Sequence, residues 1–153
     1  MARVHQEIAA FRATGAAVVV SNLCTVLTDV CDHLSHTADG LQALAEAHTL
    51  MEQQEERWWE AEIARLRGVL LLRQMGTPQA EEETWLQRAL DVACRQEAKA
   101  LELRAAVSLS HLWQRQGKRD EARALLAPVY GWFTEGFDTA GLQEAKALLE
   151  ELA

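Results

Sequence analysis

Apolar residues recur along this chain at three- and four-residue intervals almost from end to end, broken only by short polar or glycine-containing links. Val4, Ile8 and Phe11 form a first stripe that stops near Thr14-Gly15. From 17 to 34 the stripe is Val20, Leu23, Cys24, Leu27, Val30, Cys31 and Leu34. After the polar break Ser35-His36-Thr37-Ala38-Asp39 come Leu41, Leu44, Ala45, Ala47, His48 and Met51. Such spacing puts the apolar side chains on one side of a 3.6-residue helix. A fourth helix is expected from 58 to about 75, burying Trp59, Ile63, Leu66, Leu70 and Leu71. Gly76-Thr77-Pro78 then supplies in order a helix-ending Gly, an N-capping Thr and a Pro suited to the first helical position. Trp85, Leu86, Ala89, Leu90 and Ala93 mark the next helix, and Leu101, Leu103, Ala105, Ala106, Leu109, Leu112 and Trp113 the one after it, ended by Gly117-Lys118. Ala122, Leu125, Leu126 and Val129 mark a helix over 119–132; an irregular stretch over 131–141 leads to a last amphipathic helix over 142–152. Period-two alternation is nowhere sustained, and the β-branched run at 18–20 sits inside a helical pattern. About eight helices joined by short links predict an all-α fold of antiparallel neighbours.

Composition and charge narrow the picture. Of the 153 residues, 49% are hydrophobic, so one domain can hold a core without disulfide staples. Twenty-three acidic against fifteen basic side chains give a net charge of −8, which opposes binding to nucleic acid or to an anionic lipid surface. No apolar run approaches the ~18 residues of a membrane span, and Met1-Ala2-Arg3-Val4-His5-Gln6-Glu7 has no secretory pattern. Three cysteines are an odd number. Cys24 and Cys31, two helical turns apart, would have Cα atoms about 10 Å distant, too far for a disulfide, and read as small apolar fillers. The expected setting is cytoplasmic.

Three helix pairs align by their turns, at 17–53, 57–97 and 98–132, with flanking helices at 2–14 and 140–152 in a single domain over 1–153. In the last pair Ala106, Leu109, Ser110 and Trp113 precede Gly117, followed by Glu121-Ala122, Leu126 and Val129. In the first, Cys24, Leu27, Thr28 and Cys31 precede Ser35, followed by Asp39-Gly40, Leu44 and Ala47. The middle pair offers Ala64, Gly68 and Leu71, then Leu86 and Ala89. The small residue of each first helix falls at Thr28, Gly68 and Ser110, a period of 40 and then 42. This pattern resembles the tetratricopeptide repeat, in which small residues allow close helix crossing and large ones fill the groove between pairs. Gly40 departs from it by standing at an Ala site, and the middle turn carries extra residues. The resemblance implies a right-handed α-solenoid of antiparallel helix pairs, with a period longer than usual for that family.

Glu56-Arg57-Trp58-Trp59-Glu60-Ala61-Glu62, Arg65-Leu66-Arg67-Gly68, Leu86-Gln87-Arg88-Ala89-Leu90 and the run from Tyr130-Gly131-Trp132-Phe133 to Asp138-Thr139 are similar to the C-terminal repeats of large bacterial signalling ATPases. Members of that group often join a nucleotide cyclase domain and a P-loop ATPase domain to such an array. No phosphate-binding Gly-x-x-x-x-Gly-Lys-Ser/Thr loop and no cyclase metal pair occurs here, so enzymatic activity is not carried over. A chain opening at Met1 directly on a repeat helix fits a detached or truncated tail of such a protein.

In that register the concave face is lined by Asn22, Thr25, Asp29, Asp32 and His33; by Glu62, Arg65, Val69, Leu72 and Arg73; and by Arg104, Val107, His111, Gln114 and Arg115. Arg65, Arg73, Arg104 and Arg115 on one surface of an acidic protein suit a carboxylate-bearing partner, since a guanidinium grips carboxylate with two parallel donors. The competing reading is a solvated face whose arginines pair with nearby Asp and Glu. The expected binding residues are Arg65, Leu72, Arg73, Arg104, His111 and Arg115, with no catalytic residue, cofactor or metal. His33 and His36 with Asp29 or Asp32 lack the thiolates or further imidazoles of a structural zinc site, and His111 has no evident nucleophile to serve. Of the five tryptophans, Trp59, Trp85, Trp113 and Trp132 read as interhelix wedges and Trp58 as exposed. The leading functional expectation is a regulatory scaffold that binds a protein or an acidic peptide, with weak self-association through the N-terminal helices; the alternative is a sensor holding a sugar or anionic metabolite in the groove.

Overall fold

The computed structural model describes residues 37–54, 57–74 and 79–153. Among these residues there are six α-helices and no strand: α1 (Thr37–Gln54), α2 (Glu60–Arg73), α3 (Gln79–Arg95), α4 (Lys99–Arg115), α5 (Arg119–Gly131) and α6 (Ala140–Glu151). The all-α expectation holds there. The predicted helices at 2–14 and 17–34, the run at 18–20, Cys24, Cys31, His33, His36 and the Gly76-Thr77-Pro78 junction lie outside the described residues. Two boundaries differ from the sequence reading. Residues 37–39, read above as part of a polar break between helices, already belong to α1. The chain at Trp58 and Trp59 is a turn, closed by the Glu60 N–H donating to the Arg57 carbonyl at 3.1 Å, and α2 begins only after it.

Each helix packs on its neighbours in the chain, and every second one, α2, α4 and α6, also packs on the next of that set. Neighbours run antiparallel: Gly40 meets Leu70, Arg67 meets Trp85, Glu83 meets Trp113, and Ser110 meets Ala122. The alternate helices run parallel, since Glu62 and Arg65 reach Arg104 and Ser108, and His111 and Gln114 reach Glu144 and Glu151. One apolar cluster joins Leu44, Ala47 and Met51 to Ile63, Leu66 and Leu70. A larger one runs from Leu86 and Ala89 through Ala106 and Leu109 to Leu126, Ala145 and Leu148.

Small residues set the tightest crossings. A Cβ at Gly68 would stand 2.8 Å from Leu86 Cγ and 3.3 Å from the Glu82 carbonyl, so α2 and α3 approach as only glycine permits. In the next pair, Ser110 is fully buried and its hydroxyl donates to the Ala122 carbonyl at 3.2 Å, which satisfies a polar atom inside the α4–α5 crossing.

The links α3–α4 and α4–α5 are one turn used twice. Arg95-Gln96-Glu97-Ala98-Lys99 and Arg115-Gln116-Gly117-Lys118-Arg119 share their opening Arg-Gln. They also share their backbone bonds: Ala98 and Glu97 N–H to the Ala93 and Cys94 carbonyls, Lys118 and Gly117 N–H to those of Trp113 and Gln114. This is the Schellman ending, which needs a left-handed residue just past the helix. Gly117 meets that need at φ 80°, whereas Glu97 meets it at φ 54° with a side chain attached.

The tryptophans divide differently from the wedge reading. Trp59, Trp85 and Trp113 pack against the cores, and Trp58 is 79% exposed. Trp132, expected as a wedge, is 57% exposed, because α5 ends at Gly131 and the indole leaves the buried phase to lie near the Lys99 ammonium.

Gly68→Ala should destabilise the chain by about 1–3 kcal/mol in urea unfolding, overpacking outweighing the ~1 kcal/mol gained in helix propensity. Glu97→Gly should raise stability by about 1 kcal/mol and Gly117→Ala lower it by a similar amount, because only the residue past the helix changes its left-handed cost.

Candidate functional site

The parallel helices α2, α4 and α6 bring polar residues of three elements to one surface. On α2, Arg65, Val69, Leu72 and Arg73 follow one another at helical spacing; on α4, Arg104, Ser108, His111 and Arg115 do the same. Glu62 begins the α2 series but is only 1% exposed.

Glu62 is the organising group. Its carboxylate accepts from Arg65 twice, from Nε at 2.9 Å and from Nη2 at 2.8 Å, a bidentate fork within one turn of helix. Arg104 Nη2 reaches the same carboxylate from α4 at 2.8 Å. Arg65 Nη1 also donates to the Ser108 hydroxyl at 3.2 Å, and that hydroxyl donates to the Arg104 carbonyl at 3.0 Å. A carboxylate taken out of water needs this density of partners, since an unpaired buried charge costs several kcal/mol. One anion thus holds two cations, and Arg104 stays 42% exposed with further N–H donors beyond that bond.

A second carboxylate arrives from α6. Glu144 Oε1 lies 3.4 Å from His111 Nε2, with the two side chains 59% and 44% exposed. The hydrogen bond from His111 holds the Glu144 carboxyl below the usual glutamate range; partial burial opposes this, and the charges of His111, Arg65 and Arg104 add to it.

The structure therefore brings Arg65 and Arg104 together with Glu62 and Ser108, and one turn along α4 from Ser108 it sets His111 against Glu144. Arg73 and Arg115 are exposed farther along the same helices. Leu72 is half-buried and packs with Val69 on the main core. Val107, placed on this face by sequence, is buried in that core, because α4 is covered there by its neighbours. Asn22, Thr25, Asp29, Asp32 and His33 lie outside the described residues. Glu144 was not among the residues expected on this face. Its only sequence signal was a place on the polar side of the last helix.

Other polar features tie the frame together. Glu83, at the start of α3, accepts from Trp113 Nε1 at 2.8 Å and from Gln116 Nε2 and Lys118 Nζ at 3.4 Å, bracing the turn after α4. The Trp113 hydrogen bond lowers its carboxyl against the effect of burial, helped by Gln116 and Lys118. Arg67 stacks on Trp85 with its guanidinium carbon 4.3 Å from the ring centre. Burial and the neighbouring Glu102 carboxylate push the Cys94 thiol up, which disfavours the reactive thiolate. Among the described residues no His, Cys, Asp and Glu group is arranged to hold a metal ion, and no helix is long and apolar enough to cross a membrane. A cavity of about 430 Å³ bounded by Arg57, Trp58, Gln96 and Ala98 lies away from the cluster, at the N-terminal ends of α2 and α4. The chain matches no family model, no curated protein and no solved structure.

Glu62→Ala should cost about 3 kcal/mol, the low end of the range for breaking a buried pair, because Arg104 can turn to solvent while Arg65 cannot. Glu62→Gln should cost less; paired denaturant melts measure both. The Glu83 carboxyl titrates lower folded than unfolded, so its stabilisation is complete above the unfolded value and disappears as pH falls through the folded one. The stability gap between the unaltered chain and Glu83→Gln should accordingly shrink as pH falls through and below the ordinary glutamate range.

Proposed function

We propose that the chain is a non-enzymatic scaffold, a right-handed solenoid of antiparallel helix pairs of the tetratricopeptide kind, whose α2/α4/α6 face binds a protein or peptide segment rich in Asp and Glu. The observation that carries this reading is the pair of guanidiniums gathered around one buried carboxylate, with Arg104 still offering donors to solvent. Arg73 and Arg115 extend the cationic surface along both helices, while the chain as a whole carries a charge of −8. A local field of opposite sign to the rest of the molecule favours acidic segments and excludes basic ones. Support for the repeat reading comes from the close crossings at Gly68 and Ser110, 42 residues apart, and from the parallel run of alternate helices. The resemblance to the repeat tails of bacterial signalling ATPases suggests that the partner belongs to a signalling assembly, with catalysis elsewhere.

The test uses fluorescence anisotropy with labelled acidic and basic peptides of equal length. The acidic peptide should bind more tightly, and its affinity should fall as salt rises. Arg104→Ala combined with Arg115→Glu should weaken it about tenfold or more, with helix content by circular dichroism unchanged. Arg65 is unsuitable for charge reversal, since a second carboxylate against Glu62 would strain the fold itself. Equal affinity for the two peptides, or none lost in the double variant, would refute the proposal.

A further inference from the structure

The two carboxylates of the cluster differ in kind. Glu62 is enclosed and held by three short contacts, two from Arg65 and one from Arg104. Glu144 is more than half exposed and is held across a helix boundary by a single 3.4 Å contact to His111. Its own helix gives it no reason to be there: the positions three and four residues away on α6 are Ala140, Gly141, Ala147 and Leu148, none of them charged. Glu150, on the same helix, shows the ordinary alternative, pairing along α6 with Lys146 at 4.0 Å. Glu144 instead projects to α4, where the charges of Arg65 and Arg104 also act on it.

We infer that Glu144 is a built-in occupant of a carboxylate subsite at His111, two turns along α4 from Arg104, and that an acidic side chain of a bound partner replaces it there. The inference rests on the acidic-segment reading of this face and locates one contact within it. Exposed ion pairs are weak enough to exchange, whereas the Glu62 pairs are not, so Glu62 keeps the cations in place while Glu144 gives way. The geometry specifies a side-chain or terminal carboxylate that reaches the His111 imidazole from the solvent side, with Arg104 two turns back on the same helix.

The test measures binding of fluorescein-labelled hexaglutamate to the full chain, to Glu144→Gln and to Glu150→Gln. Removing the occupant should tighten binding about threefold to tenfold, while Glu150→Gln, which removes the same charge from the same helix, should stay within about twofold of the unaltered chain. An equal gain in both variants would reduce the effect to net charge and overturn the inference. So would binding by the unaltered chain with no gain in Glu144→Gln, and in either case the acidic-segment reading would survive. No binding by any of the three proteins at millimolar peptide would overturn both.

Discussion

A carboxylate in the middle of a helix array stays charged only if cations come to it, and Glu62 imposes that condition on everything around it. The helix that carries it, α2, packs against α1, α3 and α4, and between 61 and 71 only Arg65, Arg67 and Val69 escape full burial. With apolar neighbours on those sides, the Glu62 charge is satisfied by Arg65 one turn on and by Arg104 from the parallel helix. The α2–α4 contact thereby contains a charge pair, which fixes the register of the two helices more sharply than apolar packing would, since a one-turn slip would take Arg104 away from the buried carboxylate. The same constraint places the cations of the face, so frame and surface share one group.

Two links of the chain repeat one geometry. The α3–α4 and α4–α5 links are the same Schellman turn, although one joins the middle pair to the last and the other lies within the last. In each, the Gln before the left-handed residue reaches back to an earlier part of the chain: Gln96 donates to the Arg57 carbonyl, in the turn before α2, at 2.6 Å, and Gln116 to Glu83 on α3. A link that both reverses the chain and grips an earlier part of it limits the angle at which the next helix leaves. The close crossings at Gly68 and Ser110 then need no further device to bring successive helices into contact.

Much of this was legible in the sequence. The apolar periodicity located all six described helices to within a few residues, and Gly117 announced its turn because an αL position past a helix end strongly favours glycine. The equivalent turn at Glu97 was not legible, since a glutamate in that position carries no mark of positive φ. Glu62 was placed on the face with the arginines, but its burial was not, because it depends on three helices covering α2 and periodicity describes only one helix at a time. For Trp132 the reason is local: composition marks indoles as core, yet where α5 stops decides whether this one is covered. The six residues expected to bind were drawn from two helices; the structure sets Glu144 of a third against one of them, His111, which spacing within one helix cannot reveal.

Pairing of the arginines and binding by them are often treated as alternatives, and the geometry here shows why they need not be. Arg65, forked onto Glu62 and bonded to Ser108, is committed to the frame. Arg104 gives one nitrogen to the same carboxylate and, at 42% exposure, keeps others toward water. A guanidinium anchored at one edge has already lost much of its rotamer freedom, so a partner carboxylate meeting its other edge costs less ordering than it would against a free surface arginine. The internal ion pair would therefore lower the ordering cost of a carboxylate contact at Arg104 without saturating the donor, and a buried anion is the means by which an exposed cation is aimed.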